Sequence, residues 1–321
     1  MERFVAIDNV CAWPNLTRLP DGAIAANIYN QLIHGDWEGD VECWASEDEG
    51  RTWALRGTPA PHEPTTNRMN IAAGLAQDGT LIVLASGWSP RLPVGQYSRP
   101  PEAQVLPTWA SRSKDGGRTW DVHKEAVLPK RLLIPFGDIV QLTDGALGAS
   151  VYDPAEEGNS SHFCVSKDGG RTWSLRGTVR DGDANETALV VLPKGRLLAA
   201  VRTDYNRDMA LHVSDDAGAT WTHRSSPAPA NQHPGHLLVL QDGRDGIRNQ
   251  GLFGVGTRLS EDGGETWLSP QLLVSFDCPN DSGYPSSVQA ADGTIVTAYY
   301  VRSVPAHQRY HMGVVRWQLE E

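Results

Sequence analysis

The chain has 321 residues, with 40% hydrophobic and 21% charged residues and a formal net charge of −11. That charge argues against nucleic acid as a partner, because a phosphate-binding surface is normally basic. No stretch approaches the length and apolarity of a membrane span, so no membrane partner is expected, and no long segment repeats its apolar residues with a helical period.

In chain order the first element is the apolar run at residues 3–7, a strand with no obvious hairpin partner nearby. Then a pattern begins and recurs. Apolar runs flank short turns at Asp21-Gly22, Asp78-Gly79, Asp144-Gly145, Lys194-Gly195, Asp242-Gly243 and Asp292-Gly293. Asp-Gly between hydrophobic runs is a strong hairpin signal. Every turn but the last is followed by an octapeptide: SEDEGRTW at 46–53, SKDGGRTW at 113–120 and 166–173, SDDAGATW at 214–221, and SEDGGETW at 260–267. The shared pattern is Ser-x-Asp-x-Gly-x-Thr-Trp. Its Ser and Asp side chains suit a closed turn, its Gly tolerates positive φ, and its Trp is an apolar anchor. These tryptophans therefore read as structural.

The repeating unit is a hairpin, a third strand, the octapeptide and a fourth strand. Six such sheets predict an all-β, six-bladed β-propeller occupying residues 1–321 as a single domain, at about 53 residues per blade. The sixth unit lacks an octapeptide, and residues 3–7 are the expected outer strand of its sheet, which would close the ring's seam. Two stretches read as insertions. One is Arg244-Asp245-Gly246; the other, 89–110, is either a lid or an ordinary surface loop. Cys11, Cys43, Cys164 and Cys278 show no metal spacing, and the start of the chain carries no signal-peptide pattern. Reduced, mostly buried thiols in a cytoplasmic protein are expected, with no cofactor and no catalytic metal.

In a propeller the innermost strands line the channel. Counting eight residues back from each turn gives Trp13, Asn70, Phe136, Glu186, Pro234 and Tyr284; counting eight forward gives Tyr29, Ser86, Tyr152, Arg202 and Tyr300. A repeat protein keeps its scaffold positions alike, so a Glu, an Arg and a Tyr in this register mark the site. A phenol becomes a nucleophile when a carboxylate takes its proton. A buried Glu186–Arg202 ion pair with Tyr284 packing the channel is the competing structural reading.

With its octapeptides read as Asp boxes, the whole chain resembles the sialidase (neuraminidase) superfamily, particularly bacterial sialidase-like proteins with Asp-box (BNR) repeats. The resemblance implies an exo-glycosidase that removes a terminal acidic sugar, sialic acid or a relative, with retention. It implies Tyr284 as nucleophile, Glu186 as its partner and Arg202 as one of three arginines holding the substrate carboxylate. The family's first arginine falls on Ala12, a departure for which Arg68 is a candidate replacement. Arg248 is the expected third arginine, with Arg258 as runner-up. Asp36, in the polar stretch 34–40, is the expected acid/base, and His34 the second choice. His233 and His236 open the fifth unit and, with His34 and Asn70, are candidate substrate-binding residues; channel-lining histidines are the plain alternative. His162 and His212 read as scaffold. Two further functions remain: a uronate lyase on the same scaffold, and a noncatalytic carbohydrate-binding propeller. The partner is in each case a carbohydrate; the sequence leaves the oligomeric state open.

Overall fold

The computed structural model describes residues 1–89, 104–125, 127–129, 132–154, 158–203, 208–228, 235–240, 245–251, 254–276, 282–302, 304 and 307–319, with the backbone alone over 245–251. The fold is all-β. Its only described helical piece is the 3-10 turn Pro193–Gly195. After β1 (Glu2–Asp8) come six antiparallel units. The first is β2 (Cys11–Arg18), β3 (Ile24–Tyr29), β4 (Val41–Ser46) and β5 (Ala54–Ala60). The second is β6 (Asn67–Leu75), β7 (Leu81–Ser89), the short β8 (Gln104–Val105), β9 (Trp109–Ser113) and β10 (Asp121–His123). The third is β11 (Ile134–Gln141), β12 (Leu147–Asp153), β13 (Ser160–Ser166) and β14 (Ser174–Arg180). The fourth is β15 (Ala184–Val191), β16 (Leu197–Thr203), β17 (Met209–Ser214) and β18 (Thr222–Ala228). The fifth is β19 (Gly235–Val239), β20 (Asp245–Gly251), β21 (Gly254–Ser260) and β22 (Gln271–Ser275). The sixth is β23 (Gly283–Gln289), β24 (Ile295–Val301) and β25 (His311–Trp317).

β1 pairs with β25 and supplies the sixth unit's fourth strand. The second and third units share a short parallel bridge, Ala72–Gly137 and Ala73–Asp138, between their first strands. First strands touch in sequence, β2 to β6, β6 to β11, β11 to β15, β15 to β19 and β19 to β23, and β23 returns to β2. Asp245 and Gly246, expected in an insertion, instead begin β20, where Asp245 pairs with Val239; the hairpin takes up residues that looked surplus.

Local chemistry explains the turns. Asp21, Asp78, Asp144 and Asp292 each accept a hydrogen bond from the backbone N–H two residues on, at 2.9–3.0 Å. The glycine between adopts positive φ, 90° at Gly22 and 85° at Gly293, which a side chain would resist. The octapeptides close equally tightly. In the first, Asp48 accepts from the hydroxyls of Ser46 and Thr52 (both 2.7 Å) and from the Thr52 amide (2.8 Å). Ser46 Oγ accepts the Gly50 N–H at 2.7 Å, and Trp53 Nε1 donates to the Gly50 carbonyl at 3.0 Å. Each indole packs into an apolar cluster: Trp53, Trp120, Trp173, Trp221 and Trp267 join five different sets of core residues. The octapeptides begin opposite the first residue of each second strand, at Ile24, Leu81, Leu147, Leu197 and Asp245. That is the strand end remote from Tyr29 and Tyr300. Cys11, Cys43 and Cys164 are buried, whereas Cys278 lies outside the described residues.

Candidate active site

At the other strand end the first strands are irregular. Bulges interrupt the pairing between Cys11 and Asn15, Arg68 and Asn70, Phe136 and Val140, Ala184 and Thr187, and Gly283 and Ser286. A bulge re-aims side chains and is frequent beside functional sites. Trp13, Glu186 and Tyr284 all fall inside such interruptions. Tyr284 has φ 48° and follows Gly283 at φ 100°. Positive φ in an aromatic residue is strained and persists only where the surroundings impose it.

The result is a hydrogen-bonded trio drawn from two units, with Glu186 and Arg202 on neighbouring strands of the fourth and Tyr284 in the sixth. The Tyr284 hydroxyl donates to Glu186 Oε1 at 2.9 Å. Arg202 Nη1 donates to Glu186 Oε2 at 2.5 Å and to the Tyr284 oxygen at 2.9 Å. The Glu186 side chain is 6% exposed and that of Arg202 20%. Burial pulls the Arg202 guanidinium's pKa down, but Glu186 and then Tyr284 outweigh it, so Arg202 titrates above a free arginine. The cation therefore stays charged beside a phenol and a carboxylate. Chemically, this geometry allows a carboxylate to accept a phenolic proton while a neighbouring cation stabilises the resulting phenolate.

Aromatic rings surround the phenol. Trp13 lies 5.3 Å from Tyr284 between centroids, Tyr300 5.6 Å and Phe136 6.3 Å. Tyr152, half-buried, stands close enough to Glu186 that burial and then this carboxylate push its phenol's pKa up, while Arg202 opposes them. Phe136, Tyr152 and Tyr300 occupy the same counted register as the trio, so the signal that finds them is in the sequence.

The other candidates divide. His34 joins the aromatic shell, edge-on to Trp13 at 5.3 Å and to Tyr300 at 6.3 Å. Asp36 lies half-buried two residues further along the same loop between β3 and β4. That loop is tied down: Asn67 Nδ2 donates to the Gly35 carbonyl at 2.9 Å, Tyr29 to the Trp37 carbonyl at 2.5 Å, and His62 Nδ1 sits 2.6 Å from Asp40. His236 lines the same central cavity as Trp13, Phe136 and Tyr284. Its Nε2 is 2.8 Å from Asp138 Oδ2, and the other oxygen of that carboxylate accepts from Asn15 Nδ2 at 3.1 Å. Asn70 is buried, and its Oδ1 has no hydrogen-bond partner among the described residues. His233 and the side chain of Arg248 lie outside the described residues; the Arg248 backbone pairs with His236 in β19 and β20.

Arg68 does not join the trio. Its guanidinium is 1% exposed, stacks 3.7 Å from the Trp109 ring centroid, donates to the Pro107 carbonyl at 2.7 Å and pairs with Glu63 at 3.3 Å. Burial pushes its pKa down to about 10 despite Glu63. It is committed to the second unit and does not replace an arginine at Ala12. Ala12 is itself fully buried among Cys11, Trp13, Tyr29 and Tyr300.

The model of the BNR repeat-like domain matches residues 38–297. The chain belongs to this family. Among curated proteins, the sialidase of Clostridium perfringens is 24% identical over 233 residues, spanning 65% of this chain and 59% of that protein. The sialidase of Paraclostridium sordellii is 23% identical, spanning 65% and 56%. The matches thus span little more than half of those relatives' length. Among solved structures, a Dyadobacter fermentans protein of unknown function superposes with a TM-score of 0.83 at 21% identity, covering 100% of this chain and 98% of that one. Trypanosoma rangeli sialidase bound to the inhibitor DANA gives 0.71 at 15% identity, covering 97% and 55%. The family match and the sialidase relatives make this a sialidase-like BNR protein, and the solved structures share its fold.

Proposed function

We propose that the chain is an exo-glycosidase of sialidase type, built as a six-bladed β-propeller whose five octapeptides are Asp boxes. The trio Tyr284–Glu186–Arg202, assembled from the fourth and sixth units with Glu186 and Tyr284 at bulged strand ends, carries this reading. The ring of contacts among first strands supports the propeller. In the mechanism, Glu186 takes the Tyr284 proton and the phenol oxygen attacks the anomeric carbon. The bond to the leaving oxygen breaks as Asp36 protonates it. Water then displaces Tyr284 from the glycosyl-enzyme, giving net retention. The substrate is a terminal acidic sugar, sialic acid or a relative, whose carboxylate is held by Arg202 together with Arg248. Ala12 presents a buried methyl where the resemblance calls for an arginine, and Arg68 is spent elsewhere. The carboxylate is therefore gripped by fewer cations than a three-arginine clamp supplies, which favours an acid other than ordinary sialic acid.

The His236–Asp138 pair in the central cavity favours a second reading, elimination from a uronate with His236 abstracting the proton. One experiment separates the two. A panel of acidic glycosides is incubated with the protein, and products are followed by proton NMR and ultraviolet absorbance. A new reducing sugar, first released in the starting anomeric configuration, is the expected result. A product absorbing through a conjugated double bond means elimination. Turnover of no glycoside in the panel leaves the noncatalytic binding propeller.

A further inference from the structure

The repeat leaves one interface between units unlike the rest. In the first five units the residue paired with the start of the second strand is the octapeptide serine: Ile24 with Ser46, Leu81 with Ser113, Leu147 with Ser166, Leu197 with Ser214, and Asp245 with Ser260. In the sixth, Ile295 pairs with Trp317. Each octapeptide leans on the preceding unit. Its fixed glycine lies against Val296 for Gly50, Cys43 for Gly117, Ile82 for Gly170, Phe163 for Gly218, and Leu198 and Leu211 for Gly264. The fifth unit's turn to be covered falls to the sixth, which has no octapeptide. The apolar cluster between β19–β22 and β23–β25 contains Trp317 but no octapeptide indole.

Trp317 does not fill the gap. A cavity of about 130 Å³ remains, walled by Leu238, Leu240, Leu259, Leu268, Ile295, Leu319 and Trp317, with Thr257, Arg258, Ser269 and Gln271 supplying polar atoms. Thr257 is three residues before Ser260, the place that Cys43 holds before Ser46 and Leu211 before Ser214, where octapeptide glycines rest. Leu268 at its rim is 55% exposed. An apolar cavity of about 150 Å³ is enough to take up a benzene ring. The other interfaces show what shape belongs in such a wedge: a flat indole, whose N–H in Trp53 and Trp120 meets the carbonyl of its own octapeptide glycine at 3.0 Å; here Thr257, Ser269 and Gln271 are the polar partners on offer.

We propose that this wedge is a binding site for a small planar aromatic molecule carrying one N–H or O–H group, of the indole or phenol class. The site lies at the strand ends remote from Tyr284 and is independent of the glycosidase reading. The test uses 5-fluoroindole with the full chain, observed by fluorine NMR, and thermal unfolding with indole. Line broadening is expected with the unaltered protein, lost in Leu268→Trp, whose ring can fold from the rim into the cavity, and kept in Leu175→Trp, an exposed leucine on another unit. Indole at roughly tenfold excess over its Kd should raise Tm by about 2 °C. The nitrogen-labelled indole resonance of Trp317, assigned with Trp317→Phe, should shift on addition of phenol. Absence of broadening, broadening that survives in folded Leu268→Trp, or a Trp317 resonance that stays put overturns the proposal. So does a dimer that closes the wedge with a second copy.

Discussion

Tyr284 holds a backbone conformation that costs about 1–3 kcal/mol in a non-glycine residue, and it does so where its hydroxyl meets Glu186 and Arg202. Under the proposed mechanism, Tyr284→Phe removes only the nucleophilic oxygen. Turnover should fall by at least ~10³-fold with Tm nearly unchanged, and Tyr284→Phe/Glu186→Gln should be little worse than either single change, since the two act as one unit. Wild-type turnover in Tyr284→Phe, measured on the true substrate, would sink the mechanism. Arg68 supplies the contrast. Arg68→Met forfeits the Trp109 stack and the Pro107 hydrogen bond, so Tm should drop while KM stays within about twofold. Arg202→Met should raise KM and lower kcat together. A large KM effect from Arg68→Met in a folded protein would restore it to the site. These residues also show how far the sequence reaches. Glu186 and Arg202 were legible because they put charges into a register whose other members are uncharged, and Tyr284 because it stands at the position equivalent to Glu186. Arg68 misleads because it enters at the same strand end, and the bulge between Arg68 and Asn70 decides its direction. A bulge changes which face a side chain takes, and periodicity alone does not reveal it.

Strands, turns and octapeptides were legible for a different reason: their hydrogen bonds are local, so the chemistry needed to close them is written within eight residues. Asp245 and Gly246 were not, because where a strand begins depends on its partner in register. The octapeptide makes two predictions. Trp173 is 5% exposed and belongs to the cluster of Ile82, Leu84, Ala149 and Val151. Trp173→Ala should cost ~3–5 kcal/mol in chemical denaturation, without altering kcat in the molecules that remain folded. The second is pH dependence. The Thr220 hydroxyl and amide, with Ser214, hold Asp216 down to about 2, and Thr266 does the same for Asp262. For Asp48, burial pushes upward but Thr52 and Ser46 outweigh it, again to about 2. A carboxyl whose folded pKa lies below its unfolded value of about 4 contributes stability above that value and loses it as pH falls through the folded pKa. Tm should be level above about pH 5 and fall between about pH 4 and 2. Asp216→Asn should lower Tm at neutral pH and flatten that fall. An unchanged slope would mean that these turns carry no linked stability.

At the scale of the whole molecule, both ends of the sequence meet in one sheet. β1 runs antiparallel to β25, with Arg3 opposite Val315 and Phe4 opposite Val314. Ile7, Phe4 and Ala6 pack into the same cluster as Leu16 and Ile24 of the first unit and Val296 and Val314 of the sixth. Arg316, 5% exposed, is held by Glu2 and donates to the Glu49 carbonyl at 2.9 Å, so the first octapeptide is tied to the sixth unit as well. Asp8 accepts from Arg309 and lies 2.6 Å from His307. β1 is thus a clasp across the junction between first and last units, made of contacts that are distant in sequence. Removing residues 2–8 withdraws the burial of Ile7 and Phe4, worth ~1.5–3 kcal/mol for each side chain fully buried, and frees the β25 edge to pair with another chain. The shortened protein should unfold at lower temperature and associate at concentrations where the full chain does not, by calorimetry and light scattering. The Tyr284 trio draws on β15, β16 and β23, none of which pairs with β1, so turnover per folded molecule should survive. If the shortened protein keeps its Tm and stays dispersed, the junction is closed by β2 and β23 alone, and the β1 strand adds little to holding the ring of first strands together.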